Sequence, residues 1–292
     1  MGRRVPKWTE EKIAQRIREG YGQGEHADYT PWLTVRDFSS QGTTTRIFSP
    51  KLQRAVTVFS NIERNGFFVA ESEEAFDDYW EQAPMPRDET LDIASCLGVR
   101  HPVYPGTQIP VVMTLDGVLS LRVPSGKKRK VIDCKPESAL SNPRVRQKLA
   151  INREYARRHA MDYLPYTELS TPQTVVHNLQ WIRMSVPRSG DNPTMPPAAD
   201  IHRTRLLRGI AHATTFVGPH KTVRDFLAAF DADWHLPSGT SLRMLRELMW
   251  THDVAFDLQT PFQRLLAGPL TALTFSENAL AGRPSSPQTT ET

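Results

Sequence analysis

The tripeptide Asp133-Cys134-Lys135 closes the run Lys-Val-Ile-Asp-Cys-Lys over 130–135, whose apolar residues suit a buried strand. Side chains alternate along a strand, so Asp133 and Lys135 share one face while Cys134 turns toward the core. An acid and an ammonium then occupy a single site. Asp116 lies in a second strand-like run from Met113 to Arg122, and on a neighbouring strand of the same sheet its carboxylate reaches the same place. Hydrolysis of a phosphodiester asks for a divalent cation that polarises the phosphate and activates water, and hard cations prefer carboxylate and carbonyl oxygens. Asp116 and Asp133 could supply them. Lys135 is placed to orient or deprotonate the attacking water.

An acid-x-Lys triplet is weak by itself, because about two are expected by chance in a chain of this composition, and Glu10-Glu11-Lys12 is another. Three features raise the 133–135 instance: it ends an apolar run, an aspartate stands on the preceding strand, and a basic helix follows. The resulting pattern is the PD-(D/E)xK arrangement of metal-dependent nucleases. Ser60-x-x-Glu63 adds a fourth acid, which also reads as a helix capping box; the two roles can coexist. Asp116-Gly117 equally suits a tight turn. Other chemistries lack their residues. Gly126-Lys127 is followed by lysine and not by Ser or Thr, there is no GxSxG, and His101 is an isolated histidine of the structural kind.

The elements that must position these residues are legible in outline. Thr9 caps a helix that Trp8 and Ile13 staple and Gly20 ends. The glycine-rich Gly20 to Gly24 stretch reads as a helix end running into a loop, since no strand precedes it and no helix follows. Residues 44–59 suggest a hairpin around Ser-Pro-Lys, and a helix from Ser60 carries Ile62, Phe67 and Phe68. The two strands bearing Asp116 and Asp133 are expected to be joined by the turn Pro124-Ser125-Gly126 and the charge run Lys127, Lys128, Arg129 and Lys130. A helix over 143–159 holds Arg144, Arg146, Lys148, Arg153, Arg157 and Arg158 against one acid, Glu154. Such basic segments are solvated faces by default and phosphate-binding surfaces in a nucleic-acid enzyme. A short strand follows from Tyr163 to Glu168.

Beyond residue 170 the pattern turns helical, with Pro187, Pro193, Pro196 and Pro197 marking an exposed connection. Helices near 221–227 and 241–248, then the alternating Val254 to Leu258, follow winged-helix order. The expected division is a catalytic domain over 1–170, a smaller domain over 171–276, and a disordered tail over 277–292 that is rich in Ser, Thr and Pro. The 292 residues carry a formal charge of +4, a modest excess that matters because it is clustered. Mean hydropathy is −0.46, no apolar stretch reaches the length of a membrane span, and the start lacks a secretory apolar block. Cys96 and Cys134, the two cysteines, are too few for a disulfide framework. A cytoplasmic, nucleoid-associated protein is expected.

Several runs together resemble a known family. They are Ile13-Ala14-x-Arg16-Ile17-x-Glu19-Gly20-x-Gly22-x-Gly24, Asp28-Tyr29-x-Pro31-Trp32-Leu33-Thr34-Val35, Ser60-x-x-Glu63, Gly98-Val99-Arg100-His101-Pro102-Val103 and Lys135-Pro136. Their order and spacing resemble the TnsA family, endonuclease subunits of heteromeric bacterial transposases. The resemblance is clear over residues 10–184 and fainter over 241–275. It implies an α/β, restriction-endonuclease-like mixed sheet flanked by helices, followed by a mostly helical, winged-helix-like domain. It also implies cleavage of the 5′ strands at transposon ends in double-stranded DNA, beside a TnsB-like DDE transposase that cuts the 3′ ends and a TnsC-like AAA+ ATPase. Mg²⁺ is the implied cofactor, with Mn²⁺ as a substitute. The family's catalytic acids map onto Glu63 and Asp116 and its lysine onto Lys135. In this scheme Asp116 bridges metals, Asp133 and the Cys134 carbonyl complete one site, and Glu63 serves a second or shared one. Asp133 stands where the best-known pattern has glutamine. Leu242 and Leu245 fall where the family meets its ATPase partner. A non-catalytic adaptor and a stand-alone restriction or repair nuclease are the alternatives.

Overall fold

A computed structural model of the chain describes residues 8–37, 43–186, 197–216, 222–277 and 279. It divides into two compact units, residues 1–171 and 172–292.

In the first unit, α1 (Glu10–Arg18) opens on Thr9, whose hydroxyl accepts a hydrogen bond from the Lys12 amide. It stops at Gly20, which has φ +81°, a conformation glycine adopts at low cost. Trp8 and Ile13 share a buried cluster with Trp32 and Tyr104. Arg16 anchors this cluster: it pairs with Asp37 at 2.7 Å, donates to the Trp32 carbonyl, and lies against the Trp8 and Tyr21 rings. The hairpin forms as β1 (Thr45–Ser49) and β2 (Arg54–Val58). Then come α2 (Asn61–Glu71), β3 (Phe76–Pro84), α3 (Arg87–Cys96), β4 (Thr114–Val123), β5 (Gly126–Cys134), α4 (Pro143–Arg158) and β6 (Asp162–Tyr166).

The central sheet has the order β3-β4-β5-β6. The first two pairings are antiparallel and the last is parallel, because α4 supplies the crossover that a parallel neighbour requires. One face carries Trp80, Val118 and Val131 against Ile93 of α3 and Ile151 and Ala156 of α4. On the other, α2 packs closely through Gly66, where an added Cβ would lie 3.4 Å from Ile132 and from Tyr166 and 3.5 Å from the Cys134 sulfur.

The structure corrects two local expectations here. The charge run Lys127 to Lys130 is not part of the connection: β5 starts at Gly126, and Val123 pairs with Gly126 across a two-residue turn. A strand tolerates such a run where its side chains meet solvent, and residues 127–129 are exposed. Asp116-Gly117 is not a turn. Gly117 sits within β4 beneath Tyr79, whose hydroxyl oxygen lies 2.0 Å from where a Cβ would be.

The second unit contains α5 (Gln173–Arg183), α6 (Pro197–Phe216), α7 (Val223–Asp233), α8 (Thr240–Trp250), β7 (Val254–Ala255), α9 (Phe262–Ala267) and β8 (Thr274–Phe275). β7 and β8 pair antiparallel. Pro197 does not belong to an exposed connection, since it begins the 20-residue α6; a first-turn proline lacks only an N–H that has no partner within the helix. Pro187, Pro193, Pro196 and nearly all of the 277–292 tail lie outside the described residues. The core joins Leu206 and Ile210 of α6, Leu227 and Phe230 of α7, and Met244, Leu245 and Leu248 of α8. Two buried polar residues fix the loops around it. Asn178 donates to the Leu258 and Thr260 carbonyls and accepts from the Phe262 amide. Asp231 receives the amides of Gly239 and Ser241 at the start of α8. Among the described residues no helix is long and apolar enough to cross a membrane.

Candidate active site

Strand pairing brings the predicted acids and the lysine together. β4 and β5 pair Gly117 with Ile132, so the next step sets Asp116 across from Asp133. Asp116 Oδ2 accepts hydrogen bonds from the Cys134 amide at 2.8 Å and from Lys135 Nζ at 2.6 Å. Lys135 Nζ also donates to the Cys134 carbonyl at 2.8 Å and lies 3.6 Å from Asp133 Oδ1. The Cys134 carbonyl therefore already serves the ammonium, while the Cys134 side chain turns into the core beside Gly66.

Glu63 enters from the first turn of α2, and its capping role is real. Ser60 Oγ accepts from the Glu63 amide, and the carboxylate accepts from Ser60 Oγ and the Phe59 amide, each at 3.0 Å. The same carboxylate feels the active-site charges. Burial, then the Asp116 charge, push the Glu63 pKa up to about 7, against the opposing pull of those two hydrogen bonds and of Lys135. Asp133 is pushed up to about 6 by the same two causes, partly offset by Lys135, Asn152 and Tyr163. For Lys135, burial disfavours the charged amine, but Asp116 and Asp133 outweigh it and raise its pKa. In this arrangement Lys135 donates hydrogen bonds to Asp116 and to the Cys134 carbonyl.

Two carboxylates, Asp116 and Asp133, thus face one ammonium, with Glu63 close enough to feel the charges of Asp116 and Lys135, and burial makes Glu63 and Asp133 hold their protons more tightly than usual. Asp133 Oδ1 is buried and has no hydrogen-bond partner. An all-oxygen, carboxylate-rich donor set of this kind fits a hard divalent cation. Among the described residues the group of acidic, His or Cys side chains whose ligand atoms all lie within 4.8 Å of one another is Glu25, His26 and Asp78, and not the set of Glu63, Asp116 and Asp133. There, however, the Asp78 carboxylate is taken by the amides of His26 and Tyr79.

The other expected residues separate into those near the site and those that are not. Along β5, Lys127 is eight residues from Lys135, roughly 26 Å at strand rise. It pairs with Asp77 at 3.0 Å and Glu25 at 3.9 Å, while Lys128 pairs with Asp162 at 2.8 Å. Arg129 covers the Trp80 ring, and Lys130 is half-buried. On α4, Arg144 donates to the Arg100 carbonyl and to Gln147, whereas Arg146 and Lys148 are exposed. Desolvation of its amine, then the Arg144 and Lys135 charges, lower the Lys148 pKa, so exposed Lys148 stands within electrostatic reach of Lys135. His101 is structural: its ring nitrogens meet the Pro102 carbonyl and the Thr90 hydroxyl. Leu245 is wholly buried in the core of the second unit and Leu242 packs against that core, so Leu245 does not present itself to a partner. The position that the family resemblance suggested for Leu245 lies on the buried face of α8.

Sequence reading missed Asn152 and Tyr163, both of which donate to Asp133, and Tyr79, which covers Gly117. They lie 19, 30 and 38 residues from the groups they meet, beyond the reach of any local motif.

Comparison with known proteins bears on the same region. A family model described as "TnsA-like endonuclease N terminal" matches residues 73–168, and one described as "TnsA endonuclease C terminal" matches residues 171–258. Together they take in more than half of the chain. The chain belongs to the TnsA-like endonuclease family. Among its relatives, the Transposon Tn7 transposition protein TnsA of Escherichia coli is 32% identical over 182 residues, which is 62% of this chain and 66% of that protein. The alignment thus spans just under two thirds of the relative's length. The N-terminal TnsA-like match includes Asp116, Asp133, Lys135 and Asn152 but starts after Glu63.

Proposed function

We propose that the chain is a Mg²⁺-dependent DNA endonuclease of a cut-and-paste transposon, cleaving the 5′ strands at the transposon ends. It acts beside a TnsB-like transposase and a TnsC-like AAA+ ATPase. The observation that carries this reading is the meeting of Asp116 and Asp133 at the Lys135 ammonium, with Glu63 within electrostatic reach of both Asp116 and Lys135. Asp116, Asp133 and Glu63 are the residues that would hold the ion, with Mn²⁺ able to substitute. When bound, the ion supplies polarisation of the scissile phosphate and acidification of a water.

The remaining work falls to this chain's own groups. Asp116 fixes the end of β5 through the Cys134 amide and draws the Lys135 amine into the site, where its N–H groups orient water or a phosphate oxygen. Arg146 and Lys148 offer phosphate contacts beside the site. In-line attack on phosphorus leaves 3′-hydroxyl and 5′-phosphate ends. Partner contact is assigned to exposed residues of the second unit and not to Leu245.

The test is a strand-cleavage assay on transposon-end DNA with Mg²⁺ or Mn²⁺, with and without both partners. The full chain should cut with the partners present and Asp116→Ala should not, although it still binds DNA. Cleavage retained by Asp116→Ala refutes the site. Cleavage at unrelated sequences without partners points to a stand-alone nuclease, and none under any condition points to an adaptor.

A further inference from the structure

Asp133 is 1% exposed, and its two oxygens are treated differently. Oδ2 accepts from Asn152 Nδ2 at 2.7 Å and from the Tyr163 hydroxyl at 2.8 Å. Oδ1 accepts no hydrogen bond and faces Lys135 Nζ at 3.6 Å. Asn152 comes from the buried side of α4, between Ile151 and Ala156, and Tyr163 from β6, one strand over from β5.

Asn152 and Tyr163 each spend a donor on the same carboxylate oxygen. The amide's orientation follows from chemistry: only Nδ2 can face a carboxylate, and this leaves Asn152 Oδ1 without a partner. Arg153 lies 5.4 Å from the centre of the Tyr163 ring and helps to hold it. A carboxylate with one oxygen clamped by two donors cannot rotate, so its other oxygen stays directed at Lys135 and the site. Outer hydrogen bonds that orient a metal-binding carboxylate commonly change metal affinity by about 10- to 100-fold.

We infer that Asn152 and Tyr163 are positioning residues that lock Asp133 with Oδ1 presented to the divalent ion. This rests on the reading of Asp133 as a metal ligand. Both act through Asp133 and touch neither substrate nor ion.

The test is calorimetric titration of the full-length chain with Mn²⁺ alone, together with a melting curve for each variant. Tyr163→Phe and Asn152→Ser should each weaken Mn²⁺ binding by about tenfold or more. Tyr155→Phe loses the same group from the same layer without touching Asp133, and should change binding less than about twofold. Tyr163 is only half-buried, so Tyr163→Phe decides the matter if Asn152→Ser melts early. The inference is overturned if Tyr163→Phe binds Mn²⁺ like the parent while Asp116→Ala loses it, or if Tyr155→Phe weakens binding as much as Tyr163→Phe. Mn²⁺ binding unchanged in Asp116→Ala would instead overturn the reading of the site itself.

Discussion

The Lys135 ammonium donates to Asp116 Oδ2 at 2.6 Å, although Asp116 lies on β4 and Lys135 just past the end of β5, 19 positions away. The contact holds the amine against carboxylates that would otherwise repel one another, and it keeps the amine charged. Lys135→Met removes the donor and the compensating charge together. Strand cleavage should fall by roughly 100- to 1000-fold, the usual cost of losing one preorganised charge-stabilising donor. Mn²⁺ binding should be unchanged or tighter, because the carboxylates lose their internal cation. A variant that lost cleavage and metal binding in parallel would show that Lys135 only maintains the local fold.

Glu63 and Asp133 each contribute a pH dependence of a definite sign, opposite to that of His101, whose pKa burial lowers. The folded pKa values of the two carboxylates, about 7 and about 6, stand above the ordinary 4.5 and 3.8. Between those limits they bind more protons in the folded state than in the unfolded state, so the stability they contribute falls as pH rises. Without divalent ions the melting temperature should drop between about pH 5 and about pH 7.5. Mn²⁺ should restore it at the upper end, where the carboxylates are free to take the ion. Glu63→Gln should flatten the profile. A melting temperature that rises over this interval, or ignores Mn²⁺ at its upper end, contradicts the arrangement.

Gly117 is tied to the site by space. Its Cβ position is 2.0 Å from the Tyr79 hydroxyl oxygen and 2.5 Å from the adjoining ring carbon, and Tyr79 is buried edge-on against Phe67. The tyrosine cannot swing away, so Gly117→Ala must move β4 or the ring. The expected cost is about 1–3 kcal/mol in denaturant unfolding, with cleavage reduced through displacement of the neighbouring Asp116. Shortening Tyr79 to phenylalanine removes only the nearer clash, so the double variant should recover part of the loss.

How much of this was legible depended on the range of the interactions. Alternation placed Asp133 and Lys135 on one face, and the Ser60–Glu63 box capped α2, because both are local. The strand assignment for Asp116 competed with a plausible Asp-Gly turn, and only the Tyr79 ring from β3 shows why a glycine lies there. Much of the N-terminal family resemblance marks scaffold. Arg16 is spent on Asp37 and Trp32, Tyr29 on the Glu81 carbonyl, and His101 on Thr90 and Pro102. Leu245 misled because a family resemblance locates a region that meets a partner and not which of its side chains are exposed, and Leu245 is buried in the core. The Asn152 and Tyr163 clamp had no local signal at all, since it forms only once α4 has crossed over and β6 has paired.

The basic residues should differ in their contribution to DNA binding. Asp77 is 4% exposed and, against the effect of burial, Arg122, Lys127 and Ser120 lower its pKa to about 2. Withdrawing Lys127 toward a phosphate would strip a partner from a buried charge, which opposes binding through that lysine. Lys128 and Asp162 are both exposed, and such a pair exchanges for phosphate at little cost. Arg146 and Lys148 lie on the exposed side of α4, and Lys148 is within electrostatic reach of Arg144 and Lys135. Removing one phosphate-binding cation should reduce the slope of log affinity against log salt by about 0.9. Arg146→Gln with Lys148→Gln should therefore flatten the slope by nearly two such steps, Lys128→Gln by at most one, and Lys127→Gln by less than either. Equal effects from all three, measured by fluorescence anisotropy across a salt series, would mean that the DNA lies along the whole of β5 and not across the end that carries Asp133 and Lys135.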